Sequence, residues 1–462
     1  MSIDRFASTR IVPRAPWLIL SGAVIVGALW HGRGHHHHHG RGRALHVELA
    51  PSRDAAALRA ELAVLGSRAH VDPLFTHPEP ALADWERVIV TGDADAIANA
   101  LVASGVAREA FVEPEIGLAT IDPGSGAVDV TPAAPSCPTK TPSYSELQGY
   151  LAPAPEGIDA TAVWRERGGR GQGVRFADIE GAWNFKHEDL PGDRMQLAAG
   201  PMINGRDWEA HGTAVVGEVA GRDNGIGMTG IAPDVDKIVV ASIGVGEVAD
   251  AIDRAQQQLA PGDVLLIELQ GMGPQQRWIP VEYWGDVYEA IQVATSRGVV
   301  VIEAAGNGAA NLDDRAYRGA FDPAKKDSGA IMVGAGGPPR AGFVDRARLD
   351  FSNYGKRVDV QGWGRKVATF DYGDLQRCAT IDRFYTGEFS GTSSASPIVA
   401  GAAVQIEGIY RARTAHALSP SQLRDVLRST GSPQVAARGA PLSQHIGPRP
   451  NVPAALAALF GY

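Results

Sequence analysis

Four short segments carry side chains that together could hydrolyse a peptide bond. The candidates are Asp178 at the end of an apolar run, His211 before Gly-Thr-Ala, Asn307 between two glycines, and Ser393 after Gly-Thr. A serine hydroxyl becomes nucleophilic when a neutral imidazole accepts its proton, and a buried carboxylate holds that imidazole in the required tautomer. The Asn307 amide and the Ser393 backbone N–H could then stabilise an oxyanion. These residue types predict acyl transfer through an Asp-His-Ser triad.

Each of these residues also has a simpler interpretation. Asp178 could be a turn former at a strand end, Asn307 could occupy a turn between its glycines, and Ser393 could cap a helix. Four such segments in fitting contexts along one chain favour the catalytic interpretation.

The elements that must position these residues are those of an α/β fold. From residue 158 to residue 462, short apolar runs alternate with helical segments, and the runs are residues 174–178, 237–241, 264–268, 299–304 and 331–335. Continuous apolar runs are typical of parallel strands buried on both faces, so we expect a parallel sheet flanked by helices. Active groups gather at the carboxyl ends of such strands, where Asp178 and Asn307 fall. We expect His211 and Ser393 each to open a helix.

A smaller α+β unit precedes this domain. Residues 44–121 read as a βαββαβ series, the ferredoxin-like pattern, whose last strand covers residues 110–119. Residues 122–157 are rich in proline, glycine and serine, which predicts an exposed, extended linker.

The four segments resemble those of the subtilisin family of serine proteases, in the family's order Asp, His, Asn, Ser. Flanking segments resemble the family as well, namely His187-Glu188-Asp189-Leu190, Asn224-Gly225-Ile226-Gly227 and Gly230-Ile231-Ala232-Pro233. The resemblance covers roughly residues 158–459. It implies a subtilisin-like fold and a serine endopeptidase that hydrolyses protein or peptide substrates through an acyl-enzyme.

The resemblance also gives the unit at residues 44–121 a role. Its position before the protease-like domain is that of the family's propeptide, which implies a zymogen with an intramolecular inhibitor. An unrelated accessory domain is the alternative.

Several segments depart from the family pattern, and two of the departures bear on the charge and the substrate binding of the site. Asp178 is followed by Ile179-Glu180-Gly181, where the family usually has a small hydroxyl residue and then glycine, so Glu180 adds a charge near the site. The strand that lies beside the substrate reads Leu269-Gln270-Gly271, which makes Gln270 and Gly271 the candidates for substrate binding. Substrate specificity therefore cannot be copied from the relatives.

The chemistry of this family requires no cofactor, although a structural cation is possible. Asp189 and Asn224 match positions that help to hold calcium in some relatives, and oxygen ligands suit that ion. Both residues could equally be turn formers.

The N-terminal residues 1–43 read as a targeting or disordered segment. Arg5, Arg10 and Arg14 precede an apolar run over residues 17–30, the pattern of an export signal, and this run is shorter than a membrane-spanning helix needs. We therefore expect a secreted or membrane-associated extracytoplasmic protein, without excluding the cytoplasm. A run of five histidines, His35 to His39, can bind metal and is interpreted as a linker or tag without a catalytic role.

Composition argues against a nucleic-acid-binding function and leaves the state of the two cysteines open. The formal net charge is −9, so a basic nucleic-acid-binding surface is not expected, and any membrane association would involve the N-terminal segment. Cys137 and Cys378 are the two cysteines, which could form one disulfide bond or remain separate thiols.

Two alternatives to an active Ser-His-Asp protease remain open at this point. One is a subtilisin-like fold that binds proteins without catalysis. The other is a sedolisin-like acid peptidase that would use glutamate and aspartate, with Glu180 and Glu303 near the motifs.

Overall fold

The computed structural model describes residues 42–120, 137–244 and 247–461, all within the unit Gly42–Tyr462. The apolar run at residues 17–30 and the histidine run at residues 35–39 lie outside the described residues. Among the residues that are described, no helix is both long enough and apolar enough to cross a membrane.

Residues 42–120, here called the N-terminal subdomain, have the expected βαββαβ order. The elements are β1 (Arg43–Leu49), α1 (Ala55–Val64), β2 (Ala69–Pro73), β3 (Trp85–Val90), α2 (Ala94–Ala103), β4 (Ala107–Val112) and β5 (Ile116–Leu118). Four strands form an antiparallel sheet in the order β2-β3-β1-β4. Both helices begin after an aspartate, Asp54 or Asp93, whose side chain accepts a hydrogen bond from a backbone N–H of the first turn.

The last strand predicted for this subdomain is two strands in the structure. β4 pairs with β1, whereas β5 pairs with a strand of the larger subdomain. Pro114 lies between them, and because proline lacks an N–H it cannot continue a ladder on both sides. The break allows the chain to leave one sheet and enter another.

Residues 137–461, here called the C-terminal subdomain, contain the expected parallel sheet flanked by helices. Its strands are β6 (Arg175–Glu180), β7 (Met195–Ala199), β8 (Lys237–Ser242), β9 (Val264–Ile267), β10 (Leu269–Met272), β11 (Trp278–Pro280), β12 (Val300–Ala304), β13 (Ile331–Gly336), β14 (Val360–Trp363), β15 (Val367–Phe370) and β16 (Tyr385–Phe389). Its helices are α3 (Arg206–Ala220), α4 (Val248–Gln256), α5 (Gly285–Ser296), α6 (Thr392–Thr414), α7 (Pro420–Thr430) and α8 (Val452–Phe460).

Seven of these strands form one sheet in the order β14-β13-β12-β9-β6-β8-β7, and its pairs are parallel. The five predicted buried strands are all present, and β7 and β14 complete the sheet. Alternate residues of β6, β8, β9 and β12 enter separate apolar clusters, one containing α3 and α6 and the other α4 and α5. β6 pairs with both β8 and β9, so the strand order reverses beside it, and a binding crevice is expected at its carboxyl end.

Part of the predicted linker packs on the C-terminal subdomain instead of being exposed. Tyr150 is fully buried and its hydroxyl donates a hydrogen bond of 3.0 Å to the Ala368 carbonyl. Gln148 Nε2 donates to the Thr229 carbonyl at 2.7 Å. Cys137 and Cys378 form a disulfide bond, with Cα atoms 4.9 Å apart. The expectation of an exposed linker therefore fails at residues 148–151, because Tyr150 and the adjoining apolar residue Leu151 pack into the core, whereas eleven of residues 137–157 are exposed.

Candidate active site

The carboxylate that contacts His211 belongs to Glu180. β6 runs two residues further than predicted and ends at Glu180, whose Oε1 is hydrogen-bonded to His211 Nδ1. Both side chains are fully buried. Residues two apart on a strand share a face, so the side chains of Asp178 and Glu180 lie on the same face of the sheet. Glu180 is the last residue of β6 and lies nearer to the helix that carries His211.

Asp178 has a different partner from the one predicted for it. Its Oδ2 accepts a hydrogen bond of 2.7 Å from Trp183 Nε1, and its Oδ1 has no hydrogen-bond partner among the described residues. Burial, together with the nearby Glu180 charge, raises the pKa of Asp178 well above its usual range. The structure therefore does not bring Asp178 into contact with His211.

His211 lies inside α3 and not at its start, since the helix begins five residues earlier at Arg206. Burial lowers the pKa of the His211 imidazole to about 3 and raises the pKa of Glu180 well above its usual range. Both shifts favour uncharged groups. A neutral imidazole that donates from Nδ1 keeps a lone pair on Nε2, which is what a general base requires.

Ser393 is the second residue of α6, as expected from its sequence. Its Oγ is buried and, like His211 Nε2, has no hydrogen-bond partner among the described residues. Helix α3 packs against α6, and Glu180 bridges α3 to the central strand β6. The backbone N–H of Ser393 donates a hydrogen bond of 3.0 Å to the Ala119 carbonyl.

Asn307 follows β12 and lies beside the same carbonyl. Its Oδ1 accepts hydrogen bonds from Thr392 N at 2.9 Å and Thr392 Oγ1 at 3.0 Å, which fixes the direction of the amide. A Cβ on Gly391 would lie 2.4 Å from the Ala119 oxygen and 3.1 Å from Asn307 Nδ2, so only glycine fits there. Asn307 Nδ2 has no hydrogen-bond partner among the described residues and is available as a second donor.

The chain itself occupies this cleft. β5 pairs antiparallel with β10, with Leu118 opposite Leu269, Gly117 opposite Gln270 and Ile116 opposite Gly271. The Ala119 N–H then donates to the Glu268 carbonyl at 3.3 Å. Thr120 continues past Ser393, and its Oγ1 donates to the Ser390 carbonyl at 3.0 Å. The segment thus lies as an extended strand across the Ser393 helix start.

Gln270 and Gly271, the predicted substrate-binding residues, both lie on the strand that pairs with this segment. Gln270 Nε2 donates to the Leu118 carbonyl at 2.7 Å, and its Oε1 accepts from Asn307 N at 2.8 Å. A Cβ on Gly271 would lie 2.2 Å from the Trp284 ring. Gln270 therefore links the paired peptide to the loop that carries Asn307.

The predicted cation ligands are close together but are partly engaged by protein groups. Asp189 Oδ2 accepts from Met228 N at 2.8 Å, and Asn224 Oδ1 accepts from Ile226 N at 3.1 Å. Asp189 Oδ1 is buried without a hydrogen-bond partner among the described residues. Burial raises the pKa of Asp189 to about 7. One free carboxylate oxygen is compatible with a cation and does not by itself make a site.

Comparisons with known proteins identify relatives of this chain. The model of the subtilase family matches residues 184–462. An intracellular serine protease of Paenibacillus polymyxa is 28% identical over 283 residues, which cover 58% of this chain and 76% of that protein. Subtilisin DY of Bacillus licheniformis is 30% identical over 277 residues, which cover 58% of this chain and 86% of that protein.

Two solved structures share the fold. Fervidolysin from Fervidobacterium pennivorans, a keratinolytic enzyme related to subtilisin, aligns with a TM-score of 0.58 at 19% identity, covering 90% of this chain and 61% of that chain. The epidermin leader peptide processing serine protease from Staphylococcus aureus aligns with a TM-score of 0.58 at 17% identity, covering 90% of this chain and 98% of that chain. Because the family model matches more than half of the 462 residues, the chain belongs to the subtilase family and is a serine-type endopeptidase.

Proposed function

We propose that this endopeptidase uses Glu180, His211 and Ser393 as its triad, that it is made as a zymogen, and that it cleaves its own chain between Ala119 and Thr120. The observation that carries the proposal is the hydrogen bond of 3.0 Å from Ser393 N to the Ala119 carbonyl. A carbonyl held by that donor is in the position of a scissile peptide bond.

The triad assignment rests on the partners of the imidazole. His211 Nδ1 is hydrogen-bonded to Glu180, which leaves Nε2 to accept the hydroxyl proton of Ser393. Asp178 accepts from Trp183 and keeps a structural role in this proposal. A glutamate carries the same carboxylate as an aspartate on a stem that is one methylene longer.

The proposed reaction uses only groups of the chain. Ser393 Oγ attacks the Ala119 carbonyl carbon while its proton passes to His211 Nε2. Ser393 N–H and Asn307 Nδ2–H stabilise the oxyanion. The intermediate collapses with cleavage of the C–N bond, and His211 returns the proton to the Thr120 nitrogen. Water then hydrolyses the acyl-enzyme by the same route.

The N-terminal subdomain is proposed to inhibit the enzyme by delivering β5 to the substrate strand. β5 pairs with β10 and so makes the backbone hydrogen bonds that a substrate strand would make. Ala119 is fully buried in the cleft. After cleavage, the segment ending at Ala119 would remain in place as a product inhibitor until the subdomain leaves. This mechanism excludes other substrates from the cleft in the uncleaved chain.

Purified wild-type chain and the Ser393→Ala variant test the proposal directly. Wild type should give two fragments, the larger with Thr120 at its N-terminus, whereas Ser393→Ala should stay full length when produced without other proteases. Ser394→Ala is the matched control, because its hydroxyl is hydrogen-bonded to the carbonyls of Trp363 and Gly391 and not to the Ala119 carbonyl, and it should still be processed. Cleavage in Ser393→Ala would contradict the nucleophile, and a different new N-terminus would contradict the register of β5.

The compartment proposed for the protein remains extracytoplasmic. The disulfide bond between Cys137 and Cys378 supports an oxidising environment. Periplasmic or medium fractions of expressing cells should contain the mature fragment, and its recovery only from cytosol would contradict export.

A structural cation held by Asp189 and Asn224 also remains a proposal, supported by the unpartnered Asp189 Oδ1. Calcium should raise the unfolding midpoint of Ser393→Ala and have no effect after the further change Asp189→Asn. Equal calcium effects in both variants would contradict the site.

A further inference from the structure

A second cluster of chemically competent side chains lies where the two subdomains meet, away from the cleft. His46 on β1 is 3% exposed, and its Nδ1 is hydrogen-bonded to Asp286 Oδ2 on α5 at 2.7 Å. Its Nε2 faces Glu113 Oε2 at 3.7 Å and Glu247 Oε2 at 3.9 Å. Glu113 follows β4, and Glu247 immediately precedes α4, so the cluster draws residues from both subdomains.

Three atoms of this cluster lack hydrogen-bond partners among the described residues although they are buried, and Asp286 Oδ1 is one of them. Neither His46 Nε2 nor Glu247 Oε2 has a hydrogen-bond partner among the described residues. Leaving buried polar atoms unsatisfied costs free energy, so their convergence on one point indicates a missing ligand. The ligand must interact favourably with carboxylate oxygens and with an imidazole nitrogen at once.

We propose that His46, Glu113 and Glu247 bind a divalent transition-metal ion of the zinc type, which joins the N-terminal subdomain to the C-terminal subdomain. The three ligand atoms lie within 4.8 Å of one another. Ligand atoms about 2.1 Å from one Zn²⁺ lie roughly 3.4 Å apart in a tetrahedral site. The two contacts of His46 Nε2 therefore need to shorten by only a few tenths of an ångström.

Asp286 supports the metal ligand through the other ring nitrogen. An imidazole that donates from Nδ1 to a carboxylate has its lone pair on Nε2, and this arrangement recurs behind zinc-bound histidines. Asp286 is as fully buried as His46, so the orientation of the ring is fixed by the fold. It is a positioning residue in this site.

The charge balance also favours a divalent ion. Three carboxylates surround the imidazole, from Glu113, Glu247 and Asp286, and one guanidinium neutralises part of their charge. Arg87 lies 2.6 Å from Glu247 Oε1 and 2.8 Å from Glu113 Oε2, so it leaves Glu247 Oε2 free. Three negative charges are balanced by one arginine and one divalent cation beside a neutral imidazole.

A proton is the competing occupant of His46 Nε2. Burial lowers the pKa of His46, but Asp286, Glu113 and Glu247 together raise it to about 10. A protonated ring would leave its Nε2–H beyond hydrogen-bond distance of either glutamate, whereas a metal ion can bond all three atoms. Zinc bound here would hold the N-terminal subdomain on the enzyme and slow its release.

Zinc content tests the site without any measurement of activity. The full chain carrying Ser393→Ala, with the five histidines at residues 35–39 replaced by serine, is loaded with Zn²⁺ at neutral pH and desalted. It should retain about one equivalent, which Glu247→Gln should abolish. Glu289→Gln is the matched control, because Glu289 also lies at the subdomain contact and accepts from Trp85 Nε1 at 2.8 Å, outside the cluster.

Thermal unfolding gives an independent readout. Saturating Zn²⁺ should raise the unfolding midpoint of the Glu289→Gln chain by several degrees over its value in EDTA. The Glu247→Gln chain should show no rise, and circular dichroism in EDTA should confirm that both variants are folded. The proposal is overturned if the parent chain retains no zinc, or if Glu247→Gln retains as much zinc and gains as much thermal stability as Glu289→Gln.

Discussion

At the scale of single residues, two carboxylates on one strand occupy different environments. Glu180 contacts the imidazole of His211, and Asp178 accepts a hydrogen bond from the Trp183 indole. Both are buried, and burial raises the pKa of each. Their chemical roles therefore depend on what each one touches and not on a difference in side-chain type.

Matched amide substitutions should separate these two roles. Glu180→Gln should slow self-cleavage by about 10³–10⁴-fold, because an amide no longer stabilises the imidazolium or its tautomer. Asp178→Asn should stay within a few-fold of wild type, since its oxygen can still accept from Trp183. The amount of full-length chain remaining on a denaturing gel, followed over time, gives both rates of self-cleavage. A larger loss of self-cleavage rate in Asp178→Asn than in Glu180→Gln would indicate that Asp178 is the carboxylate of the triad.

Asn307→Ala should lower turnover of a peptide substrate by about 10²–10³-fold with little change in KM. The reason is that its amide, fixed by Thr392, is a donor beside the carbonyl oxygen that becomes the oxyanion. Steady-state kinetics of the mature enzyme provide the measurement. A loss confined to KM would instead indicate that Asn307 binds substrate.

The sequence singled out Ser393, His211 and Asn307 because each sits in a distinctive local segment, and the catalytic roles of all three stay predictions. The sequence did not indicate that Glu180 is the carboxylate in contact with His211, since the choice between residues 178 and 180 depends on where β6 ends. Strand ends depend on pairing with neighbours, and β6 stays paired with β8 through Glu180. The available signal was the Glu180-Gly181 pair that interrupted the expected pattern.

At the scale of elements, long-range pairing accounts for what local patterns missed. The strands β7 and β14 at the two edges of the parallel sheet were not predicted, because their runs are short and partly polar. The division of the last N-terminal strand into β4 and β5 arises from two different partner strands, β1 and β10. The central strands were predicted because their apolar runs record burial on both faces.

An ion pair between α7 and the loop before β13 predicts how stability changes with acid. Arg424 donates to both Asp327 oxygens, at 2.8 and 2.7 Å, and this interaction lowers the pKa of Asp327 to about 2. A carboxylate whose folded pKa is depressed stabilises the fold above its unfolded pKa of about 4, and that contribution disappears as pH falls towards 2. Because the Asp327 side chain is 35% exposed, screening reduces the contribution to about 1 kcal/mol.

Urea unfolding of Ser393→Ala with and without Asp327→Asn should measure the contribution of this ion pair to the free energy of unfolding. The Asp327→Asn chain should be less stable near pH 6, and the two curves of unfolding free energy against pH should converge near pH 2. Asp322 Oδ2 lies 3.5 Å from Lys325 Nζ and is not hydrogen-bonded to Arg424, so Asp322→Asn is a control for the loss of a nearby negative charge and should leave the difference unchanged. Parallel curves for the two chains would contradict the ion-pair explanation.

At the scale of the whole molecule, one covalent bond joins the start of the C-terminal subdomain to a distant loop. The disulfide between Cys137 and Cys378 spans 241 residues of sequence. Changing both cysteines to serine should destabilise the mature protein by about 2–4 kcal/mol, since the unfolded chain then loses a cross-link. The unfolding midpoint and the rate of proteolysis within residues 137–157 are the measurements. An unchanged midpoint would mean that noncovalent packing of Tyr150 suffices.

Under the proposed self-cleavage, occupation of the cleft by the segment ending at Ala119 determines the kinetic order of maturation. The bond to be cut and Ser393 belong to one chain, and the Ser393 N–H already donates to the Ala119 carbonyl, so no encounter between molecules is needed. The fraction cut at a given time should therefore be the same at nanomolar and micromolar protein. An inactive chain mixed with a trace of wild type should survive through the first turnover and be cut only later, by enzyme whose cleft has been vacated. Dilution should thus leave the rate of intramolecular cleavage unchanged and slow only the cleavage of one chain by another.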